Sequence, residues 1–349
     1  MSTQQTTTPA ELLLGKTLDD GWKVLERVDL SAMGTGGFFS VGYIVESPNG
    51  TRGFLKALDF TKAIGQQDPA SAMKEVTDAF VFERTVLERC KQNRLDRVVL
   101  AISDGTTTIG GFGAFGVVQY LIFELADRDL RAQLDFTERL DLAWSLRSLH
   151  HVAVGLMQLH RHQIAHLDLK PSNVLVFHQR ISKVADLGRA AYIGHVGPYD
   201  DAPWPGDKAY APPEFLYGQR ETEWNLRNIG TDAYLLGSMI VFFFTQTSMT
   251  GLLFSHLDQH HRPKSWSGTY EDVLPYVRDA FGNAIRSFAS HVPECVREDL
   301  AQIVVELCDP EPKRRGNFAA RNSGKVFMEK YVARLNLYAY RVENGLLKG

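Results

Sequence analysis

The stretch His166-Leu167-Asp168-Leu169-Lys170-Pro171-Ser172-Asn173, followed 13 residues after Asn173 by Asp186-Leu187-Gly188, carries the densest chemistry in the sequence. It sets a carboxylate, an ammonium, an amide and a second carboxylate in a fixed order. Phosphoryl transfer needs that set: an acceptor for a hydroxyl proton, a cation beside the moving group, and oxygen ligands for a divalent cation. A polar loop whose Asp and Asn only cap local turns is the plainer reading, and it does not account for the four groups arriving together. His166 reads as a packed histidine, since Asp168 already supplies a base.

The surrounding chain has 349 residues, a net charge of −3, 44% hydrophobic and 23% charged residues. This is a globular composition with enough chain for one large domain or two lobes. Residues 1–125 hold 12 Lys+Arg against 15 Asp+Glu and the remainder 26 against 26, so neither part is a basic block. Nucleic-acid binding through a charged face and a membrane-surface arm are therefore not expected. Cys90, Cys295 and Cys308 are odd in number and far apart, which disfavours a disulfide framework or a zinc site and fits a reducing, cytoplasmic setting. The first residues lack a basic start and a long apolar run, so no signal peptide is read there. The apolar run Ala233–Phe244 is read as a buried helix, too short to span a bilayer.

Working upstream, residues 22–125 read mostly as strands (22–30, 38–46, 52–60, 98–104, 116–124), with Ser47-Pro-Asn-Gly50 as a hairpin turn. One helix is expected over 72–91. Its inward stripe, Met73, Val76, Phe80, Glu83, Leu87 and Cys90, steps by three and four and contains a carboxylate. Taken alone, Glu83 is either a rim residue or a half-buried charge with a partner. Beyond Leu125 the pattern turns helical, with segments at 136–162, 230–244, 271–290, 296–308 and 325–340. Strands followed by helices predict an α+β chain of two lobes. The boundaries expected are a disordered tail over 1–15, a small lobe over 16–125, a large lobe over 126–335 and a C-terminal tail over 336–349. The Gly110-Gly111-Phe112-Gly113 run reads as a hairpin turn. His256, His260 and His261 read as surface histidines, because no cysteine completes a metal site.

With these elements in place, the sequence resembles the eukaryotic-type serine/threonine protein kinases over about residues 22–330. The resemblance implies a bilobal fold, a small antiparallel β-sheet lobe with one key helix above a larger, mainly helical lobe. It makes Asp168 the catalytic base, Lys170 the contact to the γ-phosphate, and Asn173 and Asp186 the Mg²⁺ ligands. Gly34-Thr35-Gly36-Gly37-Phe38-Phe39-Ser40-Val41 resembles the glycine-rich phosphate loop, giving Gly34, Gly36 and Val41 as nucleotide contacts. Lys56, 15 residues after Val41, resembles the phosphate-anchoring lysine, and Glu83 becomes its partner. Phe123 would stand behind adenine, the Glu124 and Ala126 backbones would meet its edge, and Asp129 would reach the ribose. Tyr210-Ala-Pro-Pro-Glu214 resembles the close of the activation segment, Asp232-Ala-Tyr-Leu-Leu-Gly237 the start of the central helix, and Arg315, with Arg314 as the alternative, the partner of Glu214.

Four departures stand out. Phe39 replaces the third glycine of the loop, and Phe54 replaces a small residue against adenine. Leu167 replaces the arginine that precedes the catalytic Asp, and Asp207 follows Gly206 where a threonine is usual. The segment from Arg189 to Pro213 contains no Ser or Thr, so the phosphate receptor and its phosphosite are missing together. The function implied is transfer of the ATP γ-phosphoryl group to a protein hydroxyl, with Mg²⁺ as cofactor, a protein as partner, and autophosphorylation as an outcome the resemblance allows. A pseudokinase binding module and a small-molecule kinase of the aminoglycoside type are the alternatives.

Overall fold

The computed structural model describes residues 7–29, 39–134, 140–316 and 328–347. Its first lobe is built on hairpins. The Asn49-Gly50 turn joins β2 (Ser40–Glu46) to β3 (Arg52–Leu58), with β1 (Lys23–Val28) paired outside β2. After α1 (Thr61–Ile64) and α2 (Pro69–Gln92), β4 (Ala101–Thr108) and β5 (Val117–Glu124) complete a five-stranded antiparallel sheet of order β1-β2-β3-β5-β4. β4 begins and ends later than the expected 98–104. Asp68 starts α2 by accepting the Ser71 amide, the ordinary way an Asp satisfies a free helix N–H. The buried side of α2 includes Val76, Phe80, Glu83, Leu87 and Cys90.

The outer side of the sheet is also covered. Ala10 and Leu13, from a 3₁₀ turn at Pro9–Leu12, pack with Leu18, Val41, Tyr43 and Val45, and the Tyr43 hydroxyl donates to the Ala10 carbonyl at 2.7 Å. The expected disordered tail over 1–15 is thus too long. Its described end is ordered because the sheet needs apolar cover on the face away from the other lobe.

The second lobe opens with β6 (Arg128–Asp129), α3 (Leu130–Gln133) and α4 (Leu142–Arg161). α4 starts later than the expected 136 because Asp141 caps it, accepting the Trp144 amide at 3.0 Å. Short strands follow: β7 (Ile164–Ala165), β8 (Val174–Phe177), β9 (Ile181–Val184) and β10 (Ala191–Tyr192). They form the ladders β6-β8-β9 and β7-β10. Helices complete the lobe: α5 (Pro213–Leu216), α6 (Gly230–Thr245), α7 (Met249–Ser255), α8 (Tyr270–His291), α9 (Glu294–Leu307) and α10 (Met328–Glu343).

α6 is apolar all round and forms the core of this lobe, as such a helix must. A π turn at Asn225–Ile229 extends it to a continuous stretch of 21 residues, Asn225–Thr245. That stretch is long and apolar enough to cross a membrane, contrary to the shorter run read from the sequence, but 94% of its most apolar 18-residue window is buried inside the protein. α10 also corrects the boundaries. The helix runs through residue 343, buries Leu335, Tyr338 and Ala339, and is tied to α4 by Arg147, which contacts Glu343 at 2.6 Å and Asn336 at 2.7 Å. Residues 336–343 are therefore part of the large lobe and not a tail.

Candidate active site

The loop after β7 is hung from the core helix. Asp232, fully buried at the start of α6, accepts the backbone amides of His166 at 2.8 Å and Leu167 at 2.9 Å, and His160 Nε2 at 2.8 Å. These bonds hold Leu167 in a left-handed conformation, φ 62°. His166 is spent on structure: Nε2 donates to the Ala185 carbonyl at 2.9 Å and Nδ1 accepts the Asp168 amide at 3.2 Å.

Asp168 emerges from this loop 7% exposed. Its carboxylate accepts the Asp207 amide at 2.8 Å and the Asn173 side-chain amide at 3.1 Å, and Lys170 Nζ lies 3.4 Å away. Lys170 is shared with Asp207, whose carboxylate is at 3.7 Å. Burial pushes the Asp168 carboxyl above the usual aspartate value, Lys170 opposes that, and Asp186 adds to it. Gly206 allows the close approach of the Asp207 segment, since a Cβ there would sit 2.5 Å from the Leu167 carbonyl oxygen and 2.9 Å from an Asp168 carboxylate oxygen.

Across the cleft, Lys56 on β3 meets Glu83 on α2 through both carboxylate oxygens, at 2.9 and 2.8 Å. Asp186 lies 4.0 Å from Lys56. Burial works against the Lys56 charge, but Glu83 and Asp186 outweigh it and hold the ammonium above the ordinary lysine value. The helix-stripe carboxylate is thus a paired charge and not a rim residue. Leu187, 1% exposed, packs with Phe80, Phe82 and Val86 under α2, which places Asp186 in the cleft.

The residues fit a divalent cation. Asn173 donates its amide nitrogen to the Asp168 carbonyl at 2.8 Å and to the carboxylate, and its side-chain oxygen is buried with no partner among the described residues. A buried acceptor left open beside two carboxylates suits an oxygen-ligated Mg²⁺, which Asn173 and Asp186 would hold.

Between the lobes lies a cleft of about 410 Å³, lined among others by Val28, Ser40, Ile44, Phe54, Lys56, Phe123, Glu124, Ala126, Asp129, Leu175 and Asp186. Its size is that of a small-molecule site. Phe123, Glu124 and Ala126 line it, at the connection between the lobes. Asp129 lines the cleft too, while its carboxylate caps α3 by accepting the Ala132 amide at 2.7 Å. Gly34 and Gly36 lie outside the described residues.

Val41 does not line the cleft. It pairs with Ala57, whereas Gly42 pairs with Lys56. Side chains alternate along a strand, so Val41 shares the outer face with Tyr43 and Val45, while Ser40 and Ile44 share the cleft face with Lys56. Sequence reasoning missed Ile44 for this reason, and the signal available was the Lys56 parity carried across the hairpin; it also missed Val28 on β1 and Leu175 on β8. It also missed Lys183, which holds the Glu124 carboxylate at 2.7 and 2.6 Å and so fixes the connection between the lobes.

Downstream, Arg315 and not Arg314 meets Glu214, at 2.7 and 2.6 Å, with both side chains buried. His256 and His260 are exposed and His261 stacks on Tyr276 at 3.7 Å, away from the cleft. Among the described residues no group of three or more His, Cys, Asp or Glu is placed to hold a metal.

The comparisons agree with this geometry. Over 175 residues the chain is 30% identical to the cell division control protein 2 homolog 3 of Trypanosoma brucei brucei, covering 46% of this chain and 53% of that one. It is 30% identical over 162 residues to the probable cyclin-dependent kinase 9 of Caenorhabditis elegans (44% and 31%). It is 30% identical over 246 residues to the serine/threonine-protein kinase PTK2/STK2 of Saccharomyces cerevisiae (62% and 28%). The chain spans about half or less of the length of these relatives. The family model described as the protein kinase domain matches residues 28–327, a span that takes in most of both lobes, the cleft and the paired charges, and the chain belongs to the protein kinase domain family.

Proposed function

We propose that this protein is an ATP-dependent serine/threonine protein kinase. The observation that carries the reading is the convergence of Asp168, Lys170 and Asn173 from one lobe with the Lys56–Glu83 pair from the other, around Asp186. Mg²⁺ held by Asn173 and Asp186 would neutralise phosphate charge. Lys56, held by Glu83, anchors the α- and β-phosphates. The backbone of Glu124 and Ala126 meets the adenine edge, over the floor given by Leu175. Asp168 orients the acceptor hydroxyl and takes its proton as the hydroxyl oxygen bonds to the γ-phosphorus and the bond to the β,γ-bridging oxygen breaks, releasing ADP. Lys170 stabilises charge on the transferred group. The two relatives named as a cyclin-dependent and a serine/threonine kinase, and the lysine two residues after Asp168, support an aliphatic hydroxyl as acceptor.

The test is incubation of wild type and Asp168→Asn with labelled ATP, Mg²⁺ and a generic basic protein acceptor, followed by phosphoamino-acid analysis. Phosphoserine or phosphothreonine from wild type alone supports the reading. Equal labelling by the variant, or no labelling by wild type with nucleotide binding retained, overturns it.

A further inference from the structure

Leu167 stands where the family places a phosphate-reading arginine, and it is buried against Ala165, Ala191 and Ile229. The activation segment nevertheless has a fixed course, and its anchor lies elsewhere. The carbonyl oxygen of Asp200 accepts from two guanidinium groups: Arg220 Nη2, and Arg227 Nη2 at 2.6 Å. The Asp200 carboxylate turns back to accept the Gly197 amide at 2.8 Å. That turn presses Gly197 against α2. A Cβ on Gly197 would lie 3.3 Å from the Phe82 ring and 3.0 Å from the Asp200 carboxylate. Phe82 is the neighbour of Glu83, and the Arg189 guanidinium covers the Tyr199 ring at 4.1 Å.

The origin of the two arginines is equally specific. Arg227 sits on the π turn at Asn225–Ile229, an inserted residue of the kind that re-aims side chains. Glu223 fixes that turn by accepting the amides of Asn225 at 3.0 Å and Leu226 at 2.7 Å. The same helix continues to Asp232, which holds the catalytic loop. One rigid element therefore grips both the loop that carries Asp168 and the segment that backs Glu83.

We propose that Arg220 and Arg227 are positioning residues that seat the activation segment, through Asp200 and Gly197, against Phe82 of α2, so that the Lys56–Glu83 pair assembles with no phosphate on the segment. The proposal rests on the kinase reading for its rate measurements, but not for its structural ones. Hydrogen bonds from charged donors to a carbonyl replace the ion pairs to a phosphate. They need no second enzyme to create them, and they agree with a segment from Arg189 to Pro213 that lacks Ser and Thr.

The experiment compares wild type, Arg227→Lys, Arg227→Gln and the double Arg220→Gln/Arg227→Gln variant. Phosphoryl-transfer rate and amide hydrogen exchange are measured on protein shown by intact mass to carry no phosphate after phosphatase treatment. Dephosphorylated wild type is expected to keep its rate. The double variant is expected to lose about 10–100-fold in kcat/KM and a similar factor in exchange protection at residues 197–202 and 80–86. Arg227→Lys should retain more of both than Arg227→Gln, which a general packing defect would not produce. If the double variant fails to fold, the Lys–Gln comparison decides. Unchanged rate and unchanged protection of α2 in the glutamine variants overturn the proposal, as does loss of wild-type activity on phosphatase treatment. If wild type transfers no phosphoryl group, the exchange comparison still reads the clamp and only the functional reading falls.

Discussion

Asn173 is committed to Asp168 through its nitrogen, 2.8 Å from the carbonyl oxygen and 3.1 Å from the carboxylate, and this leaves its buried side-chain oxygen open. On the proposed reading, one side chain orients the base and presents a metal ligand. Replacing Asn173 by Ala removes both. Transfer is expected to fall about 10²–10³-fold, the cost of losing one preorganised polar group at a reacting centre, and the Mg²⁺ concentration for half-maximal rate should rise. A rate titration with Mg²⁺ on both proteins checks it. A variant that loses rate with an unaltered Mg²⁺ requirement removes the ligand role.

The pH dependence follows from the surroundings of Asp168. Burial raises its carboxyl above the ordinary aspartate value, and Lys170 holds it back. A base works only when ionised, so the rate must decline as pH falls through this raised pKa, at a higher pH than a free aspartate would give. Lys170→Met removes the cation that favours the ionised form. Its acid limb is expected to move to higher pH, alongside a lower plateau. Profiles of kcat/KM against pH for the two proteins measure the shift, and a Lys170→Met limb at or below the wild-type position contradicts the assignment.

Much of this arrangement is legible in the sequence, and the limits are physical. The spacing of Met73, Val76, Phe80, Glu83, Leu87 and Cys90 exposes a carboxylate on an apolar helix face, and a buried carboxylate demands a cation such as Lys56. The order from His166 to Asp186 is a local pattern, since each group lies close in the chain. Strand phase is different. Whether Val41 or Ser40 faces Lys56 depends on pairing across the hairpin, and a shift of one residue exchanges the faces. The grip of Arg220 and Arg227 on Asp200 is invisible for another reason. The acceptor is a backbone carbonyl, which leaves no mark in the side-chain sequence. The order near the first residues is not legible because a short apolar segment such as Ala10–Leu13 gains its stability from the sheet it covers and not from its own propensity.

The register finding separates two neighbouring apolar residues by function. Ile44 lines the cleft, whereas Val41, 6% exposed, belongs to the core on the other face. Ile44→Ala is expected to raise KM for ATP roughly tenfold by stripping contacts from the base site, with little change in melting temperature. Val41→Ala should cost about 1–3 kcal/mol of stability and leave KM for ATP near wild type. Nucleotide titration and thermal unfolding on both variants give the comparison, and the reversed pattern would mean that the strand pairs in the other register.

Glu214 and Arg315 form the most deeply buried ion pair in the large lobe, the arginine side chain 0% and the carboxylate 3% exposed. The arginine is further fixed by its Nε bond to the Asp309 carbonyl at 2.9 Å and lies over the Tyr234 ring at 5.0 Å. Burial works against the arginine's charge and Glu214 outweighs it, pushing the guanidinium further into its charged form. Removing one partner leaves the other as an uncompensated charge in the core, at a cost of about 3–5 kcal/mol. Glu214→Ala is therefore expected to lower the melting temperature by on the order of 10 °C. Its turnover well below that transition should stay within about threefold of wild type, because among the described residues neither partner lines the cleft. Glu214→Ala/Arg315→Met removes both charges and should recover part of the loss, since the second change takes away the orphaned cation. Calorimetry and initial rates on the three proteins decide between a scaffold pair and a catalytic one. An unchanged melting temperature with lost turnover would assign Glu214 to the chemistry instead.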